Sequence, residues 1–232
     1  MKNITPETPV GEIVRAFPAR SRIFENLGID YCCGGKQSLG QACQRRGLDP
    51  ATAVAMLSAL DHGERVVADP DTLTLTELCD HIERVHHAYL RDELPRLDFM
   101  TRKVAATHGD AEPRLLDVRR TFEIFSEKVS AHTAEEDQQG FPAVRQLEAA
   151  NGDKAERVSA LKAEFEKLES EHKSTGAALA HFKELTDNYT PPDWACGTLR
   201  ALYDGLRRMQ RDMHQHIHEE NNVLFPRVLA LS

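Results

Sequence analysis

With 232 residues, 41% of them hydrophobic, 28% charged and only 6% aromatic, the chain has ample length for a buried core and suits a soluble helical protein. A formal net charge of −8 opposes nucleic acid and anionic membranes as partners, and no apolar run approaches the length that spans a bilayer. The N-terminus has no basic stretch leading into an apolar one, and Cys32, Cys33, Cys43, Cys79 and Cys196 form no framework of even pairs, so a cytoplasmic protein with free thiols is expected.

Residues 1–60 read as a small helical domain. The pattern predicts helices over Val10 to Phe17, Ser21 to Leu27, Ser38 to Arg46 and Pro50 to Leu60, with a turn at Cys32-Cys33-Gly34-Gly35 and Asp49 capping the helix that Pro50 opens. Residues 61–72, with Gly63 and Pro70, read as a linker, and 73–232 as four long helices. The first runs from Thr74 to Ala106, disturbed near Pro95. The second spans Glu112 to Gln146, the third Asp153 to Asp187, and the fourth Asp193 to Leu229 with Asp193 as its cap. Strand signals are absent. Four helices with short connections imply an all-α fold: a small N-terminal helical domain followed by an antiparallel up-and-down four-helix bundle.

Within this bundle one segment recurs. His132-x-x-x-Glu136-x-x-x-x-Phe141-Pro142 returns as His216-x-x-x-Glu220-x-x-x-x-Phe225-Pro226. A His and a Glu four apart on a helix differ in direction by about 40°, so each copy aims an imidazole and a carboxylate at the same space. Inward positions of a bundle recur in steps of three and four. That rule selects Leu202, Leu206, Met209, Met213, His216, Glu220 and Leu224 on the fourth helix, and Phe122, Phe125, Val129, His132 and Glu136 on the second. On the third it selects Leu161, Phe165, Leu168, His172, Thr175 and Leu179, and on the first His87, Leu90, Leu94 and Leu97. The acids beside the seam, Glu135 and Glu219, are expected in solvent. The spacing from His87 to His132 is 45 positions and from His172 to His216 is 44, which suggests two helical hairpins related by an approximate two-fold axis.

Carboxylates in a bundle core need compensation. Four histidines and two glutamates at similar depth meet that need with metal: two ions, each taking two histidines, bridged by Glu136 and Glu220, with coordination positions left for water or a small diatomic molecule. A ferritin-like alternative can be drawn through Glu83-x-x-His86 and Glu169-x-x-His172, but it leaves His132 and His216 without a role and places Glu169 off the seam. Zinc fits less well, because six ligands exceed a tetrahedral set. His81, His86, His214 and His218 flank the seam as surface or supporting groups, and Glu83 is placed either to orient His87 or as a surface charge. Cys32 and Cys33 read equally as an exposed thiol pair, in a turn where Gly lets a partner approach, or as small packing residues. Cys43, Cys79 and Cys196 are expected to pack in the core.

Asp30-Tyr31-Cys32-Cys33-Gly34-Gly35-Lys36, His86-His87 before Glu93-Leu94-Pro95, Glu171-His172, and the run from His216 and Glu220 through Asn221-Asn222-Val223-Leu224-Phe225-Pro226-Arg227 together resemble a known family over nearly the whole chain. It is that of the bacterial di-iron proteins for repair of iron centres, which join a cysteine-bearing N-terminal domain to a haemerythrin-like bundle. The resemblance implies a non-haem centre of two iron ions, oxo-bridged when oxidised, held by His87, His132, Glu136, His172, His216 and Glu220. It implies repair of iron–sulfur clusters damaged by nitric oxide or oxidants, by donation of iron, with Cys32 and Cys33 assisting transfer or redox steps. The implied partners are damaged iron–sulfur proteins, with nitric oxide or oxygen as small ligands; a homodimer is left open. Reduction of nitric oxide by the centre, or its mere scavenging, is the alternative activity. Gln138-Gln139-Gly140 departs from the more apolar stretch expected before Phe141, and loosening of the second helix's end is the expected consequence.

Overall fold

The computed structural model describes residues 4–59, 72–152 and 154–231, so the expected linker lies outside the described residues except at Thr72. Every regular element among the described residues is helical, and one isolated bridge pairs Pro9 with Ser38. The N-terminal region holds α1 (Val10–Ala16), α2 (Ser21–Leu27), α3 (Leu39–Arg46) and α4 (Pro50–Ala59). Gly28 and Gly47 close α2 and α3 in the left-handed conformation that glycine adopts without steric cost. Ser38 caps α3 by accepting the Gln41 N–H, and the Asp49 carboxylate accepts those of Ala51 and Thr52, as expected. Val10, Ile13, Phe24, Leu39, Cys43 and Leu57 are buried among these helices.

The first long helix consists of α5 (Leu75–Ile82) and α6 (Ala88–His108), the second of α7 (Arg114–Glu135) and α8 (Phe141–Ala149). The third is α9 (Ala155–Leu185), and the fourth consists of α10 (Gly197–Glu219) and α11 (Phe225–Leu229). Thr74 and Glu77 form a reciprocal capping box at the start of α5. Each long helix packs against the next in a ring, as an up-and-down bundle requires. The fourth starts later than expected: Cys196, not Asp193, precedes its first turn.

Three of the four rods contain a wide turn that the three-and-four spacing did not anticipate. Glu83–His87, Glu136–Gly140 and Glu220–Leu224 are π turns, in which the N–H of Ala88, Phe141 or Phe225 reaches back five residues to the carbonyl of Glu83, Glu136 or Glu220. Two of them have a local cause. Pro142 and Pro226 cannot donate to the preceding turn and would crowd its carbonyl, and widening the turn relieves both problems. The extra residue keeps Phe141 and Phe225 above Glu136 and Glu220 on the buried face, five positions on.

Gln138-Gln139-Gly140 therefore does not loosen the second helix; it lies inside a π turn, and the helix continues to Ala149. Nor does Pro95 interrupt α6. Its missing N–H frees the Arg91 carbonyl on an exposed face, where the loss is least costly, and the irregularity of this rod sits at Glu83–His87 instead.

Apolar side chains fill the bundle in two separate clusters. One contains Leu90, Leu97, Phe122, Val129, Leu179, Leu206 and Met213; the other contains Ile82, Phe141, Val144, Phe165, Leu168, Leu224 and Phe225. The polar residues of the seams occupy the level between them, closed off by hydrophobic packing above and below.

Candidate metal centre

All six seam residues converge at that level. His87 ends the first π turn, Glu136 and Glu220 open the other two, and His132, His172 and His216 project from α7, α9 and α10. His87, Glu136, His216 and Glu220 are fully buried and His172 nearly so, while the His132 side chain retains 10% exposure.

Their donor atoms fall into two sets that share both carboxylates: His87, His216, Glu136 and Glu220, and His132, His172, Glu136 and Glu220. Glu220 places Oε1 2.9 Å from His216 Nε2 and Oε2 3.1 Å from His172 Nε2. Glu136 places Oε1 3.2 Å from His132 Nε2 and Oε2 3.5 Å from His87 Nε2. Each carboxylate thus turns one oxygen toward each histidine pair.

Within the pairs, Nε2 to Nε2 is 3.1 Å for His87 and His216 and 3.0 Å for His132 and His172. The tautomers follow from the opposite ring edge. His87 Nδ1 donates to Asp137 Oδ1 at 2.6 Å, His132 Nδ1 to Glu171 Oε2 at 2.7 Å and His172 Nδ1 to Asn221 Oδ1 at 2.8 Å, which directs all three Nε2 atoms inward. Nitrogens facing each other at such distances need a shared proton or a cation between them. Glu136 Oε1 and Oε2 and Glu220 Oε2 likewise have no hydrogen-bond partner among the described residues, although all are buried. Donors about 2.1 Å from one ion stand about 3.0 Å apart at right angles and about 3.4 Å apart at the tetrahedral angle. The histidine spacings match the right-angled arrangement, which suits iron or manganese with imidazole and carboxylate ligands.

Charge interactions agree with this crowding. Burial, together with Glu220, pushes the Glu136 carboxyl up. Burial acts on Glu220 in the same direction, but His216 and His172 override it and hold its carboxyl well below the usual range.

The supporting residues Asp137 and Asn221 were not singled out in the sequence, although each directly follows a seam glutamate and so points at the neighbouring helix. Glu83, considered as an orienting group for His87, instead pairs with Arg145 at 2.8 Å. Glu169, needed by the ferritin-like alternative, pairs with Lys36 at 3.3 Å. Glu135 is half-buried and bound to Lys167, whereas Glu219, expected in solvent, is buried with His81 and His86. Those partners come from another helix, beyond the reach of a single-helix spacing rule.

The Cys32-Cys33-Gly34-Gly35 turn packs onto the bundle beside this centre. Asn222 Nδ2 donates to the Cys32 carbonyl at 2.9 Å, and a Cβ on Gly35 would fall 2.1 Å from Asn222 Oδ1, so only glycine permits the approach. The thiols are not an exposed pair: Cys32 is buried and Cys33 half-buried. Asp30 Oδ1 accepts both of their backbone N–H groups at 3.0 Å. The Cys32 thiol is pushed well up by its contact with Cys33 and by burial, and the Cys33 thiol is lowered, chiefly by that contact, with help from His172 and Lys173. Cys33 Sγ lies over Gly176, one turn beyond His172. Cys43 and Cys79 pack in the core as expected, but Cys196 is exposed, with Sγ 3.3 Å from His108 Nε2.

A cavity of ≈ 480 Å³ between the second and third long helices is lined by Ile124, Phe125, Ala131, His132, Glu171 and Thr175, and so reaches the least buried of the six seam residues. Among the described residues no helix is long and apolar enough to cross a membrane.

Residues 80–228 match the hemerythrin HHE cation binding domain, and residues 6–61 match ScdA_N, a domain of unknown function. The iron-sulfur cluster repair protein ScdA of Staphylococcus epidermidis is 32% identical over 227 residues, 97% of this chain and 99% of the relative. The iron-sulfur cluster repair proteins YtfE of Citrobacter koseri and of Escherichia coli O157:H7 are each 35% identical over 224 residues, 97% of both chains. A buried set of cation ligands, a bundle of the hemerythrin kind and likeness to these proteins from end to end converge on one conclusion: the chain belongs to the ScdA/YtfE family of iron-sulfur cluster repair proteins.

Proposed function

We propose that this protein repairs damaged iron–sulfur clusters by holding two iron ions between its four long helices and releasing iron to the client. His87 and His216 would hold one ion and His132 and His172 the other, with Glu136 and Glu220 belonging to both sets. The observation that carries this reading is the pair of facing Nε2 contacts, 3.1 and 3.0 Å, flanked by oxygens of Glu136 and Glu220 that have no hydrogen bond among the described residues. When bound, the ions would supply Lewis acidity and one-electron redox chemistry in a site reached from solvent only beside His132.

The chain's own contribution is positional. Asp137, Glu171 and Asn221 fix three imidazoles with Nε2 inward, and hydrophobic layers on both sides exclude solvent. Cys33, the more acidic thiol and the nearer to solvent, stands one turn along α9 from His172 and is the group placed to receive departing iron. The client is a protein with a damaged cluster, in the reducing interior of the cell.

Iron-loaded protein mixed with a cluster-damaged dehydratase tests this. Recovery of dehydratase activity, with loss of the corresponding iron from the donor, is expected; Cys33→Ser is expected to slow transfer, and a Cys32→Ala/Cys33→Ala variant that repairs normally would exclude the thiols. The cavity beside His132 favours a second activity, binding or reduction of nitric oxide. Multiple-turnover formation of nitrous oxide with a defined reductant distinguishes an enzyme from a carrier.

A further inference from the structure

Outside the six-residue centre, His81, His86 and Glu219 bring two ring nitrogens and a carboxylate oxygen within 4.8 Å of one another. His81 Nε2 is 3.4 Å and His86 Nε2 3.5 Å from the same atom, Glu219 Oε2. His86 and Glu219 are buried, at 3% and 4% exposure, and His86 Nε2 and Glu219 Oε2 have no hydrogen bond among the described residues. Buried, convergent donors that lack hydrogen bonds are costly unless something else occupies the space.

Each inner residue is held in place from behind. Asp212 Oδ1 lies 2.9 Å from His86 Nδ1, the carboxylate–imidazole arrangement seen at His87 and His132, and Gln215 Nε2 donates to Glu219 Oε1 at 2.9 Å, which turns Oε2 toward the histidines. The His81 side chain keeps 27% exposure and leads to solvent, while the His86 ring stacks on that of His216 at 5.3 Å.

We propose that His81, His86 and Glu219 form a separate mononuclear site for a divalent transition-metal cation, lying between solvent and the His87/His216 half of the buried centre. Edges of 3.4 and 3.5 Å match the tetrahedral spacing of about 3.4 Å, and three protein ligands leave a fourth position for water or for exchange, the arrangement of an open zinc-type site. Its two nitrogens and single carboxylate suit Zn²⁺, Co²⁺ or Fe²⁺. The site uses none of the six residues of the proposed iron pair, so it can fail while that reading stands.

Titration of the iron-loaded, full-length protein with Co²⁺ tests the proposal, because tetrahedral Co²⁺ has intense visible bands. One further equivalent bound with those bands, and binding weakened about 10- to 100-fold in Gln215→Ala and abolished in the half-exposed His81→Ala, is the expected result. Iron content and the spectrum of the iron pair are expected to be unchanged in both variants. Absence of extra Co²⁺ binding, octahedral spectra, or a His81→Ala protein that binds Co²⁺ as the parent does would overturn it.

Discussion

The two histidine pairs of the centre share their carboxylates but not their surroundings. In the His132/His172 pair both Nδ1 atoms have acceptors, Glu171 and Asn221. In the His87/His216 pair only His87 does, through Asp137, whereas His216 Nδ1 has no partner among the described residues and its ring lies flat against His86. The approximate two-fold axis pairs Asp137 with Asn221, each directly after a seam glutamate, and Glu171 with His86, each directly before a seam histidine. The replacement of Glu171 by His86 at the equivalent place removes an anchor from His216 and creates the outer His81/His86/Glu219 cluster. One half is braced and opens to a cavity; the other is less braced and backed by His81, His86 and Glu219.

The largest effect expected is that of removing what the halves share. Glu136→Gln/Glu220→Gln leaves both pairs without a bridging charge, and elemental analysis should find near-complete loss of tightly bound iron, with the helical content of the bundle retained. Retention of iron would break the comparison at its root. Asp137→Ala and Glu171→Ala each act on one half. Each should weaken retention of about one ion per chain by about 10- to 100-fold, read as faster release to a chelator and as one altered iron environment in the Mössbauer spectrum.

Gly35→Ala probes a contact made by one half alone, since Asn222, against which Gly35 rests, adjoins the residue that orients His172. The inserted methyl group should weaken docking of the N-terminal region by about 1 to 3 kcal/mol, seen as earlier thermal exposure of the Cys33 thiol, with iron content little changed. The smallest effect is expected from Asn221→Asp, which gives His172 the kind of charged acceptor that His87 already has. A charge-assisted bond should slow iron release from that half by several-fold, and release that is no slower would show that the asymmetry has another source.

Much of this was readable beforehand. The seam residues could be found because buried positions on a helix recur with its period, so Leu202 to Leu224 trace a continuous inward stripe in which His216 and Glu220 must lie. Two of the three π turns leave a trace in the sequence, in the step of five from Glu136 to Phe141 and from Glu220 to Phe225 and in the prolines that follow, but a rule built on steps of three and four passes over it, and Glu83–His87 has no such trace. Glu219 was misplaced for a different reason. Its environment consists of His81 and His86, from a helix far away in the chain, and no local spacing records that proximity.

Sequence alone determined the helical class, the four rods and the inward-facing His and Glu residues, since helix periodicity and the cost of burying charge act locally on each segment. Only the tertiary structure decided which oxygen faces which histidine, which groups anchor Nδ1, how Cys33 comes to rest beside α9, and that a second cluster of donors forms around Glu219. Those outcomes depend on distances between side chains many residues apart, and such distances are set when the helices pack, not while each one forms.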